Sequence, residues 1–489
     1  MKTLSKTTIE FLNRSPKLFI NNEWLDASSS ATIPSFNPAN GEEIFSIAAA
    51  NEPDVNRTVE AARVAFDNKV RDMNPAKRAA LIHKLAELIE QHIEPLSQLE
   101  CLDNGKPISR AVADVKAAAA HLRYYAGWAD KIEGSSIPVN SPNIMVYTRR
   151  EALGVVGLIV PWNFPLVMAI WKLAPALACG NCCILKPAEQ TSITALYLAD
   201  LIKEAGFPKG MVQVLTGNGK TGSLLSHHMG INKIGFTGST EVGKKVLEAS
   251  AKSNLKKVSL ELGGKSPNII FDDADINRVH QSLLWASFYN SGQECTLGSR
   301  VYVHKSKFNE VVDELVKRTS ALSMESGLAN PDLGPLVSEE QVVRVVGYID
   351  SGKNEAELLL GGNRKEGSLS HGFFVEPTIF TTSNHSATIV QEEIFGPVVN
   401  VAPFEDEEEI IAYANNSRYG LASAIWTKDI SRAHKFAHRI EAGVVWINGY
   451  DLFHPAVPFG GYKESGIGRE MGKSALELYT QEKSIWTNL

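Results

Sequence analysis

The stretch VVGLIVPWNFPLVMAIWKLAPALACGNCCILKPAEQ, residues 155–190, decides the fold. It opens on a short apolar, partly β-branched run, Val155 to Val160, and comes back to a second at Asn181 to Leu185. Between them, Leu166 to Cys179 is an apolar segment of helical length. Strand, buried helix and strand in this order make a unit of parallel sheet. The alternation continues outward with a helix from Ile193, a strand at Val212 to Leu215 and another at Ile231 to Phe236. The expected class is therefore α/β, a doubly wound, Rossmann-like parallel sheet that takes its ligands at the carboxyl ends of its strands. A second alternation starts near Pro267 and runs to about Phe459, so two such domains are expected. Gly154 to Trp171 lacks charge and imitates a membrane span, but Pro161, Asn163 and Pro165 would leave polar groups unsatisfied in lipid.

Toward the amino terminus, Lys17 to Trp24 is read as a strand ending in turn residues, and Glu42 to Ile47 as another. Residues 53–69, 75–103 and 109–129 carry apolar positions at helical spacing. Ile144 to Glu151 alternates like an exposed strand. The chain of 489 residues is long enough for two or more domains, and its net charge of −6, with no long Lys or Arg run, argues against nucleic acid. Five cysteines are too few and too clustered for a disulfide framework. Cys179, Cys182 and Cys183 resemble half a zinc site without the other half, so no metal is expected. The amino terminus, MKTLSKTTIEFLNRSPKLF, has no apolar core of leader length, and a cytoplasmic protein is expected.

Three glycine clusters could cradle phosphate. Gly217 to Gly222 fits G-x-G-x-x-G after a strand, but no acidic residue ends the next strand. Gly238 to Lys245 falls one residue short of a phosphate-binding NTPase loop, because Lys245 stands where Ser or Thr must meet Mg²⁺. It still puts a Gly-Ser-Thr turn at a helix N-terminus, where backbone N–H groups bind phosphate. In the third, Glu261 precedes Leu262, Gly263 and Gly264. One cysteine stands apart from the others: Cys295, in the polar break Ser291 to Arg300, on an expected helix-to-strand connection of the kind that carries reactive groups.

Seven segments, in order, resemble the NAD(P)-dependent aldehyde dehydrogenase superfamily. They are Pro161-Trp162-Asn163-Phe164-Pro165, Lys186-Pro187-Ala188-Glu189, Phe236-Thr237-Gly238-Ser239-Thr240, Glu261-Leu262-Gly263-Gly264-Lys265, Gly292-Gln293-Glu294-Cys295, Glu393-Ile394-Phe395-Gly396-Pro397 and Pro458-Phe459-Gly460-Gly461. The resemblance implies an NAD-binding domain (1–128 and 153–263), a catalytic domain (264–463) and a small β element for oligomerisation (129–152 and 464–489). A homodimer or homotetramer is implied.

On the same resemblance, Cys295 is the nucleophile, Asn163 and the Cys295 backbone N–H stabilise the oxyanion, Glu261 is the general base and Glu470 is an acidic residue behind it. NAD would lie against Pro161, Trp162, Lys186, Glu189, Gly238, Ser239, Gly243, Leu262, Glu393 and Phe395, with Gly217 near the adenine. A carboxylate at Glu189 accepts from ribose hydroxyls and repels a 2′-phosphate, which favours NAD over NADP. Phe164, Trp171, Tyr289, Thr296, Phe453 and Phe459 would wall the aldehyde slot. Its aromatic character fits apolar aliphatic or aromatic aldehydes and disfavours carboxylated ones. Glu294 departs from this pattern and is expected to point away from the sulfur; facing the slot, it would favour betaine aldehyde or an aminoaldehyde. A CoA-acylating dehydrogenase and a non-catalytic binding protein are the remaining alternatives, and Glu261 together with Cys295 and Asn163 argues against both.

Overall fold

In the computed structural model, which describes residues 4–489, the strand Val155–Ile159 lies inside an eight-stranded sheet. All five of its residues are buried, as a parallel strand covered on both faces requires. Cys182–Lys186 and then Val212–Val214 pair parallel on one side. Lys233–Thr237 and then Lys257–Glu261 pair parallel on the other. The winding therefore reverses between Val155–Ile159 and Lys233–Thr237, and a crevice opens beyond their carboxyl ends. Short antiparallel strands finish the edges: Leu18–Ile20 with Glu23–Leu25, and Gly466–Ile467 against Lys257–Glu261.

A second sheet has seven strands in the order Glu357–Leu360, Thr378–Thr381, Val398–Phe404, Arg300–His304, Pro267–Ile270, Ala422–Trp426, Val444–Ile447. Only its first strand runs antiparallel to its neighbour. Only residues 262–266 separate Lys257–Glu261 of the first sheet from Pro267–Ile270 of the second, so the end of one strand and the start of the other stay close together. A third, antiparallel sheet pairs Ile144–Ala152 with Thr480–Asn488 over nine residues each and with Ser136–Ile137. Its outward side chains include Ile137, Met145 and Trp486, the last 66% exposed.

The structure departs from the sequence reading in three places. Lys17 to Trp24 is a hairpin of two short strands, because Asn21 and Asn22 both take positive φ (55° and 61°) and turn the chain back. The helix read over 75–103 is two helices, Pro75–Gln91 and Ile93–Asn104. Pro95 cannot donate to the Gln91 carbonyl and its ring would clash there, so the chain breaks at His92. The helix read over 53–69 ends at Ala65, and a wider π-type turn, Phe66–Val70, takes its place.

Met1 to Thr3 of the terminus read as lacking a leader lie outside the described residues, and Lys6–Leu12 is a short helix capped by Ser5. Among the described residues no helix is long and apolar enough to cross a membrane. Cys179, Cys182 and Cys183 are buried in the packing of the first sheet, where burial pushes Cys179 and Cys182 up to about 12.

Candidate active site

Cys295 stands where the helix Ile276–Phe288 gives way to the strand Arg300–His304. The intervening loop is strained: Asn290 and Ser291 both adopt left-handed backbone (φ 48° and 56°). Gly292 follows at φ 74°, and a Cβ there would meet the Gly396 carbonyl oxygen at 2.1 Å. Side-chain amides hold the strain in place. Asn290 Nδ2 donates to the Asn163 carbonyl (3.0 Å), Gln293 Nε2 to the Asn290 carbonyl (3.1 Å), and Gln293 Oε1 accepts from the Val337 N–H (2.9 Å). Gly264 packs so closely that a Cβ on it would lie 2.4 Å from the Cys295 carbonyl.

The loop borders a cleft of about 1330 Å³ that collects residues from both large sheets. A single small-molecule site occupies roughly 300–1,000 Å³, so the cleft has room for a dinucleotide and a second reactant. One arm is lined by Pro161, Trp162, Lys186, Glu189, Gly238, Ser239, Leu262, Glu393 and Phe395. The other is lined by Phe164, Trp171, Tyr289, Glu294, Thr296, Phe453 and Phe459, and Asn163, Glu261, Cys295 and Glu470 border the same cleft. Two expected residues are outside this lining. A Cβ on Gly217 would strike Thr221 Oγ1 at 2.1 Å, so it faces its own helix, and Gly219, Gly222 and Ser223 form the wall instead. Gly243 packs on Leu262 rather than facing the cleft. Glu294 corrects a further expectation: its buried carboxyl borders the cleft and presses on the Cys295 thiol.

In the first arm the residues present fit a dinucleotide. Gly238 ends the strand Lys233–Thr237, and a Cβ there would meet the Phe236 ring at 2.6 Å. The helix Thr240–Lys252 starts beside it, so free N–H groups meet the crevice. Thr237 Oγ1 is buried there without a protein partner. Lys186 Nζ and Glu189 Oε2 lie 3.4 Å apart, a cation and a carboxylate at the mouth of this arm. Farther along, Glu393 accepts from the Gly264 N–H (3.0 Å), and burial lifts its carboxyl to about 7. A Cβ on Gly263 would sit 2.0 Å from Glu393 Oε2.

The electrostatics around the sulfur are one-sided. Burial first, then the carboxyls of Glu294, Glu393, Glu261 and Asp451, push the Cys295 thiol well above its ordinary value. Asn163 spends one of its two amide hydrogens on the Gln293 carbonyl (3.0 Å), which leaves the other for a ligand. Glu261 ends the strand Lys257–Glu261 with Oε2 buried and unpartnered. Burial, then the neighbouring Glu470, raises its pKa well above the carboxylate range. Behind it Lys172 Nζ pairs with Glu470 Oε1, and both are buried. Glu470 also exchanges two backbone hydrogen bonds with Phe459 (2.7 Å each), tying the base region to the aromatic wall.

That wall is a cage: Trp171, Phe453 and Phe459 have ring centroids 5.4–6.1 Å apart, and Phe164 stacks on Tyr289 at 6.3 Å. Sequence reasoning missed His121, which stacks on Trp171, and Asp114 and Asp451. Asp114 was hidden in an Ala-rich helix, whereas Asp451, two residues before Phe453, could have been found from its neighbour.

A half-buried thiol, an amide donor and a high-pKa carboxylate at the meeting of a dinucleotide crevice and an aromatic slot define a cysteine-dependent oxidoreductase. The chain matches the aldehyde dehydrogenase family over residues 24–485 and belongs to it. It is 47% identical to an aldehyde dehydrogenase of Emericella nidulans, across 96% of this chain and 94% of that one. The NAD+ complex of an aldehyde dehydrogenase from Bacillus cereus superposes with a TM-score of 0.97 at 48% identity, covering 100% and 99% of the two chains. Betaine aldehyde dehydrogenase of Staphylococcus aureus, also with NAD+, gives 0.96 at 38% identity over 99% and 97%.

The raised thiol pKa carries a measurable consequence. In the ligand-free protein, alkylation of Cys295 by iodoacetamide, followed by peptide mass, should still be accelerating above pH ~9, beyond the range of an ordinary thiol. A plateau below pH ~8 would contradict this electrostatic picture.

Proposed function

We propose that this protein oxidises aldehydes to carboxylic acids with NAD, using Cys295 as nucleophile. The observation that carries the reading is the convergence of Cys295, Asn163 and Glu261 on one cleft that also has a dinucleotide arm. Cys295 loses its proton to solvent, and its Sγ attacks the carbonyl carbon. The oxygen takes up the π-electron pair and accepts from Asn163 Nδ2–H and the Cys295 backbone N–H. NAD, bound in the first arm, supplies the acceptor for the hydrogen and electron pair that leave the carbon, and Cys295 keeps a thioester. Glu261 then removes a proton from water as the water attacks that thioester, and the C–S bond breaks to release acid and regenerate the thiol. Lys172 and Glu470, paired behind Glu261, hold its surroundings polar without neutralising it.

The aromatic cage supports aldehydes with an apolar aliphatic or aromatic body. The Glu189 carboxylate supports NAD over NADP. The residue ranges 1–128 with 153–263, 264–463, and 129–152 with 464–489 are the reading adopted for the NAD-binding, catalytic and oligomerisation parts. The sheet of Ile144–Ala152 and Thr480–Asn488, with its exposed Trp486, supports assembly into a homodimer or homotetramer.

Four measurements bear on this reading. Asn163→Ala should lower kcat by about 10²–10³-fold, whereas Glu261→Gln should give a stoichiometric burst of NADH and then stall as an acyl adduct at Cys295; steady full turnover in the latter would reassign the base. Glu189→Ala should shrink the ratio of kcat/KM for NAD to that for NADP, and an unchanged ratio would remove Glu189 from cofactor selection. Trp486→Glu should lower the assembled mass in light scattering at micromolar protein; retention of the wild-type mass would move the interface elsewhere.

A further inference from the structure

Beside Cys295 the aromatic slot contains two carboxyls whose charge no protein cation balances. Glu294 is 6% exposed, and its Oε2 is buried without a hydrogen-bond donor. Asp451 faces it and receives one hydrogen bond, from Thr296 Oγ1 at 3.1 Å. Both border the cleft, as do the rings of Trp171, Tyr289 and Phe453. The other titratable groups acting on the pair are Asp114, Cys295, Tyr289 and Tyr450, and His121 and His454 line the same cleft, His121 being held neutral by burial. None of these is a lysine or arginine. Lys106 Nζ is taken up by Glu100 Oε1 (2.7 Å) and Asp114 Oδ2 (2.6 Å). Arg110 lies over the Trp285 and Tyr289 rings at 4.7 and 5.0 Å.

A buried carboxyl pair with no counter-ion is costly for a site meant only for hydrocarbon. Hydrophobic residues in the same places would accept an apolar aldehyde better. The arrangement has a purpose if the missing cation arrives with the substrate, because aromatic faces and carboxylates together attract an alkylammonium group. We propose that Glu294 and Asp451 form a cation subsite next to the nucleophile, so that aldehydes carrying an alkylammonium group near the carbonyl are preferred to neutral aldehydes of the same shape. This deepens the aldehyde-oxidation reading and rests on it.

The subsite should strengthen as pH rises. Burial, and for Glu294 the facing carboxyl, raises both groups, Asp451 to about 7 and Glu294 well above its usual range. In acid the pair is therefore neutral, and it gains the negative charge that attracts a cation as pH rises through the Asp451 value. Because the Cys295 thiol lies beside the pair and also gains negative charge with pH, the part of the rise that Asp451→Asn removes is the part assigned to the subsite.

The test compares (trimethylammonio)acetaldehyde with 3,3-dimethylbutanal, in which carbon replaces the charged nitrogen, using the full-length enzyme with NAD at pH ~6.5 and pH ~8.5. The kcat/KM ratio of cationic to neutral aldehyde should favour the cation and grow by roughly 10-fold or more between these pH values, the order of effect a partly desolvated charge pair supplies to a quaternary nitrogen that has no N–H to donate. Asp451→Asn and Glu294→Gln should flatten that rise, with circular dichroism and thermal melting reporting that each variant is folded. A wild-type ratio that is pH-independent, or favours the neutral aldehyde, overturns the proposal without any variant. Tetramethylammonium ion supplies a readout apart from turnover: it should slow iodoacetamide alkylation of Cys295 in the wild type and less so in Asp451→Asn. Loss of NADH formation with both aldehydes would overturn the oxidation reading, whereas protection by tetramethylammonium would still establish the subsite; absence of protection with normal turnover would reject the subsite alone.

Discussion

A half-buried thiol sits in a cleft among carboxyls, and the chemistry proposed for it answers to that constraint. Desolvation and four acidic neighbours disfavour the thiolate together, and no lysine, arginine or histidine is among the groups acting on the sulfur. Stabilisation must then come from neutral donors and from whatever enters the cleft. The Asn163 amide and the Cys295 N–H are dipoles fixed in place before any ligand binds, so they lose nothing to reorganisation. Burial and the neighbouring Glu470 raise the Glu261 carboxyl against the opposing pull of Lys172 and Arg469.

This pre-arrangement depends on close backbone packing. Gly292 and Gly264 allow the nucleophile loop to press against the Gly396 carbonyl and the Leu421 side chain, and two left-handed residues, Asn290 and Ser291, twist the chain into place. The strain is held by amide hydrogen bonds rather than by ion pairs, which keeps the loop firm without adding charge. At the other side of the first sheet, Asn181 performs a similar service. Its amide accepts from the Gly154 N–H and donates to the Ala176 and Tyr479 carbonyls, locking the start of the central strand to the carboxyl-terminal segment.

The two arms of the cleft divide the work along the sheet architecture. The reversal of winding beside Val155–Ile159 supplies the crevice, and the short link 262–266 brings the second sheet's loops against it. Glu261 and Cys295 belong to segments attached to different sheets, so any relative movement of those sheets alters the distance between base and nucleophile. The Phe459–Glu470 backbone bridge spans this junction and couples the aromatic wall to the groups behind the base.

The sequence alone determined the alternation of strands and helices from Val155 to Phe236, because β-branched runs and apolar helices of that length have few other ways to bury themselves. It also singled out Cys295, Asn163 and Glu261 from residue type at motif spacing, and the structure brings the three to one cleft. Boundaries that depend on one residue's backbone were less legible: the hairpin at Asn21-Asn22 and the break before Pro95 need φ values or a missing N–H to be weighed against a long periodic pattern. Which glycines face the cleft was decided only in three dimensions, as Gly217 and Gly243 turn toward their own neighbours while Gly238 meets the crevice. The same holds for Glu294 and Asp451. They are 157 positions apart in the chain, each would pass for a surface carboxylate on its own, and only the packing of two loops sets them side by side without a cation, where their mutual repulsion and burial acquire meaning.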